Sequence, residues 1–230
     1  LQYASNLPQS VRTEWTKIEG RFRTIQYLDD SKEIYRLIAE VARSTSPTKP
    51  LTHDAAVAAA KRCAQLRLFR DFALPELQEL LRQAAPLDPI TLYLLPRISA
   101  RVAQNERTLF SFLHDADLSQ LVTPAVLYDY FSGSMRADTA VGGTHRQWLE
   151  TESALSKVPD DDSAVQALKT ACLLGLGTSG ERSRTSYELL VTALEGTHGH
   201  SSAKTTVGRL IERKLLLHRR HNDEVKVWHG

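Results

Sequence analysis

An arginine at the predicted start of a helix has the clearest potential for chemistry in this chain. In the stretch RVAQNERTLFSFL, residues 101–113, Asn105 is placed to cap a helix just before Arg107. Phe110 and Leu113 follow three and six positions later, a spacing that suits a buried helix face. A guanidinium stays charged and offers several fixed donors to phosphate oxygens. Arg107 is therefore a candidate anion ligand; the alternative is an interfacial helix whose arginine pairs with a carboxylate.

A second arginine stands beside a phenylalanine near the beginning of the chain. In GRFRTIQYLDD, residues 20–30, Arg21 and Phe22 precede a short β-prone run at 24–28. Taken alone, this pair fits an arginine that is salt-bridged beside a buried phenylalanine.

Three predicted helices and a hairpin make up the last third of the chain. The helices are DSAVQALKTACLLGL, SYELLVTALEG and SAKTTVGRLIERK, and Gly196 is expected to end the second. LLLHRR and EVKVW are β-prone runs separated by HND, a turn-forming group, so we expect them to pair. This order predicts a winged helix-turn-helix over residues 161–230. In such a module the third helix is the usual element in a DNA major groove, and the hairpin is the wing.

The basic residues of this unit are predicted to face outward. The core face of the third helix would contain Ala203, Val207, Leu210 and Ile211. The outward cations would then be Lys204, Arg209 and Arg213 on the helix, with Arg219, Arg220 and Lys226 on the wing. They are candidates for contacts with DNA phosphates. The alternatives are a solvated face or a protein-docking surface.

Most of the remaining chain is also predicted to be helical, because apolar residues recur at spacings of three and four. Pro96 is expected to kink or end its helix. Residues 44–50 read as a linker, and residues 132–144 as a flexible loop rich in Gly, Ser and Thr. Helix starts are predicted at Asp30 or Ser31, Thr52, Pro75, Asp88 and Thr123; the first helix is predicted to bury Ile34, Leu37, Ile38 and Val41.

The sequence holds no P-loop. GLGTSGERS, residues 175–183, has glycines but no lysine, and it follows a predicted helix rather than a strand. His198 and His200 have no cysteine or carboxylate at ligand spacing, which favours a loop over a metal site. Asp160, Asp161 and Asp162 indicate a helix cap rather than a catalytic cluster. We therefore expect neither ATP hydrolysis by this chain alone nor a metal site.

The two arginine stretches resemble motifs of AAA+ ATPases. RVAQNERTLFSFL is similar to the second-sensor motif in the lid of the origin-recognition-initiator type, although Gln104 and Asn105 stand where those initiators usually have Gly and Asp. GRFRTIQYLDD resembles the box near the end of the AAA+ core. The resemblance implies that Arg107 contacts bound nucleotide from the lid. It also implies that Arg21 is an arginine finger for the γ-phosphate bound by a neighbouring subunit.

A wider resemblance covers most of the chain. WTKIEGRF, LLPRISARVAQNERTLFSFL and RRHNDEVKVWHG are similar to large bacterial P-loop ATPases often found in phage-defence gene clusters. It implies the end of an ATPase core at 1–48, a helical lid at 49–117, connecting helices and a loop at 118–160, and a winged helix at 161–230.

This resemblance also implies a function. The lid would sense ATP, held with Mg²⁺ by an upstream P-loop core, and would couple its binding and hydrolysis to nucleic-acid or partner binding in antiviral defence. The partners would be the rest of the ATPase chain and further copies, joined as a homo-oligomer through the ATPase interface. The alternative is a non-enzymatic winged-helix DNA-binding regulator with a helical dimerisation region.

Composition and length further limit the class of protein to which this chain can belong. The 230 residues are 42% hydrophobic, enough for a substantial core in a mainly α protein. A net charge of +2 is too small to imply nucleic acid by itself. Cys63 and Cys172 fit buried thiols in a reducing cytoplasm. No apolar run reaches the roughly 18 residues of a membrane span, and no signal peptide opens the chain. The chain starts at Leu1 rather than Met, so we expect a fragment of a larger protein.

Overall fold

The computed structural model describes residues 32–102, 107–178 and 184–228, with the side chains of residues 107 and 108 excepted. Ten α-helices and one two-stranded antiparallel sheet occupy these ranges, which confirms a mainly α chain. The β-prone run predicted at 24–28 lies outside the described residues. Within the described part, no helix combines the length and apolar character that crossing a bilayer requires.

The helices follow one another with short connections, and both strands come last. We number them α1 Lys32–Thr45, α2 His53–Gln65, α3 Leu74–Gln83, α4 Pro89–Val102, α5 Arg107–Asp115, α6 Pro124–Ala137, α7 His145–Leu155, α8 Asp162–Gly177, α9 Tyr187–His198, α10 His200–Glu212, β1 Leu216–Arg219 and β2 Glu224–Val227. The strand register pairs Leu216 with Val227 and Arg219 with Glu224. We call α1–α7 the helical unit and α8–β2 the C-terminal unit.

Local signals set most helix starts. The Thr52 hydroxyl accepts a hydrogen bond from the Ala55 N–H at 3.3 Å, and Asp161 caps α8 by accepting from the Ala164 N–H at 3.0 Å. Such side chains bond N–H groups that have no partner inside the helix. Thr123 occupies the cap position of α6, directly before Pro124. The predictions at Thr52, Asp161 and Thr123 are confirmed.

Two predicted helix boundaries are wrong, and a third prediction is narrowed. Pro96 lies inside α4, so it does not end its helix. The helix α6 continues to Ala137, so only the second half of the predicted 132–144 loop is a loop. Gly196 lies inside α9, and the helix ends at Gly199, whose φ of +72° is a left-handed conformation that glycine adopts without strain.

The buried face of α1 also differs from the prediction. Ile38 is buried, but Leu37 is 44% exposed, and Ile34 and Val41 are only partly buried. Besides Ile38, the buried positions are Tyr35, Ala39 and Ala42. The face is therefore rotated relative to the prediction, because the large Tyr35 ring points into the core and turns Leu37 outward.

The centre of the molecule is α8. Ten of its 16 residues are buried, and it contacts α4, α6, α7, α9, α10 and β2. A helix that is apolar nearly all round must be covered on every side. At its C-terminal end, α8 approaches α4 so closely that a Cβ atom on Gly177 would lie 2.5 Å from Leu94 Cδ2. This contact joins the helical unit to the C-terminal unit.

A pair of glycine substitutions in α8 tests this contact. Gly177→Ala should lower the free energy of unfolding by about 1–2 kcal/mol, because the added methyl group overpacks the interface with Leu94. The matched variant is Gly175→Ala in the same helix, where a Cβ atom would meet nothing within 4 Å. It should raise stability by up to about 1 kcal/mol, through helix propensity alone. Urea denaturation measures both, and equal changes would contradict the close α4–α8 packing.

Candidate functional site

Arg107 lies in α5, which the structure describes from Arg107 to Asp115, whereas the predicted cap Asn105 lies outside the described residues. The helix is anchored by Leu109, Phe112 and Leu113, which are all buried, while Phe110 is only partly buried. The Phe112 ring lies 5.1 Å from the Tyr130 ring and 6.3 Å from the Phe131 ring, both in α6. The start of α5 is thus held by packing on one face, although Phe112 rather than Phe110 is the main aromatic anchor.

The sequence predicts that Arg107 lies at a helix start, and a helix start has chemistry of its own. The first four backbone N–H groups of a helix have no partner inside it, and the helix dipole puts partial positive charge there. Anions bind at such ends. The side chain of Arg107 and all of Arg21 lie outside the described residues, so their predicted roles stay predictions.

Two further arginines lie one turn apart on α4, the helix before α5. Arg97 Nη1 lies 3.5 Å from the Gly177 carbonyl oxygen, and Arg101 Nη1 lies 3.4 Å from that of Leu176. Cations near the last carbonyls of a helix are favourable because of the helix dipole. Burial lowers the pKa of Arg101, and Asp138 partly opposes that effect. The α4 arginines therefore add polar contacts to the apolar interface between α4 and α8.

A second set of polar contacts joins α2 to α9. Arg62 Nη2 lies 2.5 Å from Glu188 and 3.2 Å from Glu195, and Arg62 Nε donates to the Thr192 hydroxyl at 3.1 Å. Glu195 also pairs with His200, at the start of α10. Glu188, Thr192 and Glu195 recur at helical spacing and so share one face of α9. Sequence reasoning missed this cluster, although that spacing was visible in the sequence.

A cleft of about 600 Å³ lies beside this cluster, between α2, the start of α4, and α9. Asp88 caps α4 by accepting from the Ile90 N–H at 2.8 Å, and burial raises the pKa of its carboxyl group to about 6. Gly196 allows α9 to lie close to the start of α4, since a Cβ atom at Gly196 would lie 3.3 Å from Asp88 Oδ2. Gly196 thus permits close packing between the two units and does not end its helix.

The predicted core face of α10 is largely confirmed. Ala203, Val207 and Leu210 are buried, and Ile211 is partly buried. All five predicted contact cations are exposed; they are Lys204, Arg209, Arg213, Arg219 and Arg220.

Three of these five cations already have partners within the chain. Arg209 Nη2 lies 2.7 Å from Asp161 Oδ2, and Arg219 Nη1 lies 3.0 Å from Glu224 Oε2. Arg213 donates to the Lys157 carbonyl at 3.2 Å. Lys204 and Arg220 form no ion pair with another described residue. Because the neighbouring carboxylates neutralise part of the positive charge, this surface is less basic than its sequence suggests.

Elsewhere the described residues offer little catalytic chemistry. Cys63 and Cys172 are buried free thiols, and burial raises the pKa of each to about 12, which keeps them protonated and unreactive. Across residues 32–102, 107–178 and 184–228, no three His, Cys, Asp or Glu side chains are grouped to hold a metal ion.

Comparisons with models of protein families, with curated proteins and with solved structures find no match for this chain. The site therefore has to be interpreted from its own geometry and from the sequence motifs.

Proposed function

We propose that this chain is the nucleotide-sensing and coupling portion of a larger ATPase of the AAA+ type, acting in bacterial antiviral defence. The observation that supports the proposal is that Arg107 belongs to α5, a helix anchored by the buried side chains of Leu109, Phe112 and Leu113. A second-sensor arginine on a helix held in this way would present a fixed charge to bound nucleotide. The chain has no P-loop, so in this proposal ATP and Mg²⁺ are held by another part of the ATPase.

Packing supports a path from α5 to the C-terminal unit. The helix α4 leads into α5, and Leu94 and Ile98 of α4 lie against Gly177 of α8. Arg62 separately ties α2 to α9. A displacement of the lid on nucleotide binding would therefore move α8 and α9 as well, since tightly packed interfaces transmit strain.

In this proposal the C-terminal unit is a winged helix. It consists of three helices followed by an antiparallel hairpin, and the single residue Gly199 joins α9 to α10. The Val225 N–H donates to the Thr185 carbonyl at 2.8 Å, which ties the hairpin to the segment before α9. The α10 helix exposes Ser201, Lys204 and Thr205, a polar face suited to nucleic acid or to a partner protein.

Substituting Arg107 in the complete ATPase tests the sensor role. Arg107→Ala should lower ATP turnover per folded molecule by about tenfold or more, because a hydrogen bond to a charged group is worth about 1.5–3 kcal/mol. The matched control is Arg146→Ala in α7, an exposed arginine that pairs with Glu150 four residues later. It should leave turnover unchanged. Steady-state ATPase assays with thermal unfolding of each variant measure this. If Arg107→Ala unfolds the protein but leaves activity per folded molecule intact, Arg107 is structural.

The second candidate function is a non-enzymatic DNA-binding regulator that dimerises through the helical unit. The exposed cations of α10 and the hairpin favour it. The ion pair between Arg209 and Asp161 opposes it, because DNA would have to compete with the carboxylate for the guanidinium.

A pair of charge-matched variants tests DNA contact. Asp161→Asn keeps a residue that caps helices well, but it removes the carboxylate that pairs with Arg209. DNA affinity should then rise by up to about fivefold, because an exposed ion pair is worth up to about 1 kcal/mol. Asp162→Asn removes the same charge one residue later and should have a smaller effect. Fluorescence anisotropy with duplex DNA at several salt concentrations measures both. Equal DNA affinities of the two variants would show that Arg209 does not contact DNA. If no variant and no wild-type chain binds DNA, the surface is one for protein docking.

A further inference from the structure

We infer that the cleft between the two units binds a small molecule with an ammonium group on an apolar body, and that the Asp88 carboxylate is its counter-charge. The cleft has a volume of about 600 Å³ and lies between α2, the start of α4, α9 and the start of α10. Ligand sites commonly have volumes of about 300–1,000 Å³ and often lie between domains. This site is separate from Arg107 and does not rest on the proposed ATPase role.

The walls of the cleft are mostly apolar. The α2 helix contributes Ala58 and Ala59, the start of α4 contributes Pro89 and Ile90, and α9 contributes Gly196. Apolar walls of this kind bury the body of a ligand, and a few polar groups then fix its orientation. The chemistry of the ligand is therefore set by the charged side chains of the lining.

Asp88 is the buried charge of this cleft. It is only 8% exposed, and its Oδ1 accepts from the Ile90 N–H at 2.8 Å. Among the residues that the structure describes, Asp88 forms no ion pair. A buried charge without a counter-charge is costly. Burial raises the pKa of Asp88 to about 6 although the helix start favours a negative charge, so at neutral pH the carboxylate is ionised and incompletely compensated.

The other charged groups of the lining leave the cleft negative. Arg62 is already held by Glu188 and Glu195, and Glu195 also pairs with His200. Asp88 and Glu195 oppose Arg62 in the lining, which gives a net charge of −1 with His200 neutral. Glu188 keeps the surroundings negative when His200 is protonated. The charge of the cleft therefore complements a cation.

Gly196 opens the cleft toward this carboxylate. The glycine is exposed, and a Cβ atom there would lie 3.3 Å from Asp88 Oδ2, the oxygen other than the one that accepts from Ile90. The missing side chain leaves space in front of Oδ2. An ammonium group in that space would donate to Oδ2, and hydrogen bonds between charged groups are short and strong.

An organic amine fits this cleft better than a metal ion or an anion. A protein metal site normally needs three or more ligands, and no three His, Cys, Asp or Glu side chains are grouped for that purpose in the described part of the chain. Asp88 and Glu195 would repel an anion. An amine needs one carboxylate and an apolar surface for its carbon skeleton, and the cleft has both.

Titration of the full chain with two amines of different size tests the inference. The probes are cyclohexylamine and tryptamine, and their uncharged counterparts are cyclohexanol and indole-3-ethanol. At least one amine should bind saturably and shift the amide NMR signals of Ile90 and Gly196. It should bind about tenfold or more tightly than its alcohol, because a hydrogen bond to a charged group is the stronger kind. No saturable binding of either amine, or equal affinity of each amine and its alcohol, would overturn the inference.

Two aspartate variants identify the charge that the amine contacts. Asp88→Asn keeps a side chain that caps helices well but removes the charge. It should raise the dissociation constant of the amine by about tenfold and leave that of the alcohol unchanged. Asp160→Asn removes the same charge from an exposed residue outside the cleft lining and should change amine affinity less than about twofold. Equal effects of the two variants would contradict the role of Asp88.

A pair of glycine variants tests the same site without removing a charge, and it decides the question even if Asp88→Asn does not fold. Gly196→Ala places a methyl group in front of Asp88 Oδ2 and should weaken amine binding by about fivefold or more. Gly208→Ala adds a methyl group in α10 where a Cβ atom would meet nothing within 4 Å, and it should leave the affinity unchanged. Unchanged amine affinity in Gly196→Ala would place the amine elsewhere and overturn the inference.

Discussion

Burial of most of α8 is the constraint on which the rest of this fold depends. Its sequence, DSAVQALKTACLLGLG, has no polar face wide enough to meet solvent, so other elements must cover it. The helical unit supplies α4, α6 and α7, and the C-terminal unit supplies α9, α10 and β2. Neither unit can cover the helix alone. Two sets of elements with different topologies are therefore packed around one shared core, and Gly177 sets how closely they approach.

The side chains of this shared core differ in chemistry from those at its edges. Buried groups such as Leu94, Leu168 and Leu173 have no reactive atoms, and the two buried thiols remain protonated. The charged groups lie at the edges of the units, between α2 and α9 and on α10 and the hairpin, and many of the arginines there are paired with carboxylates. The apolar centre is therefore structural, and contacts with ligands or partners would be made at these edges.

Local features of the fold could be predicted from the sequence, and non-local features could not. The Thr52 and Asp161 side chains cap helices and Thr123 directly precedes the first residue of α6, as predicted, because a helix start depends on residues within one turn. The prediction for Gly196 was wrong for the opposite reason: a Cβ atom at Gly196 would face Asp88, which is far away in the sequence. The same reasoning explains the candidate sites. The assignment of Arg107 to a helix follows from the local apolar spacing, whereas the partners of Arg62 require the folded chain.

The shared core predicts that the helical unit and the C-terminal unit unfold and move as one body. Native-state hydrogen exchange in increasing denaturant tests this most directly, because cooperative units share one opening free energy. If the two units form one body, the slowest amides of α4, α8 and α10 will converge on the same opening free energy, equal to that of global unfolding. If instead the amides of α10 exchange through a separate opening of lower free energy while α4 and α8 keep their protection, the two units are independent and no coupling path runs between them.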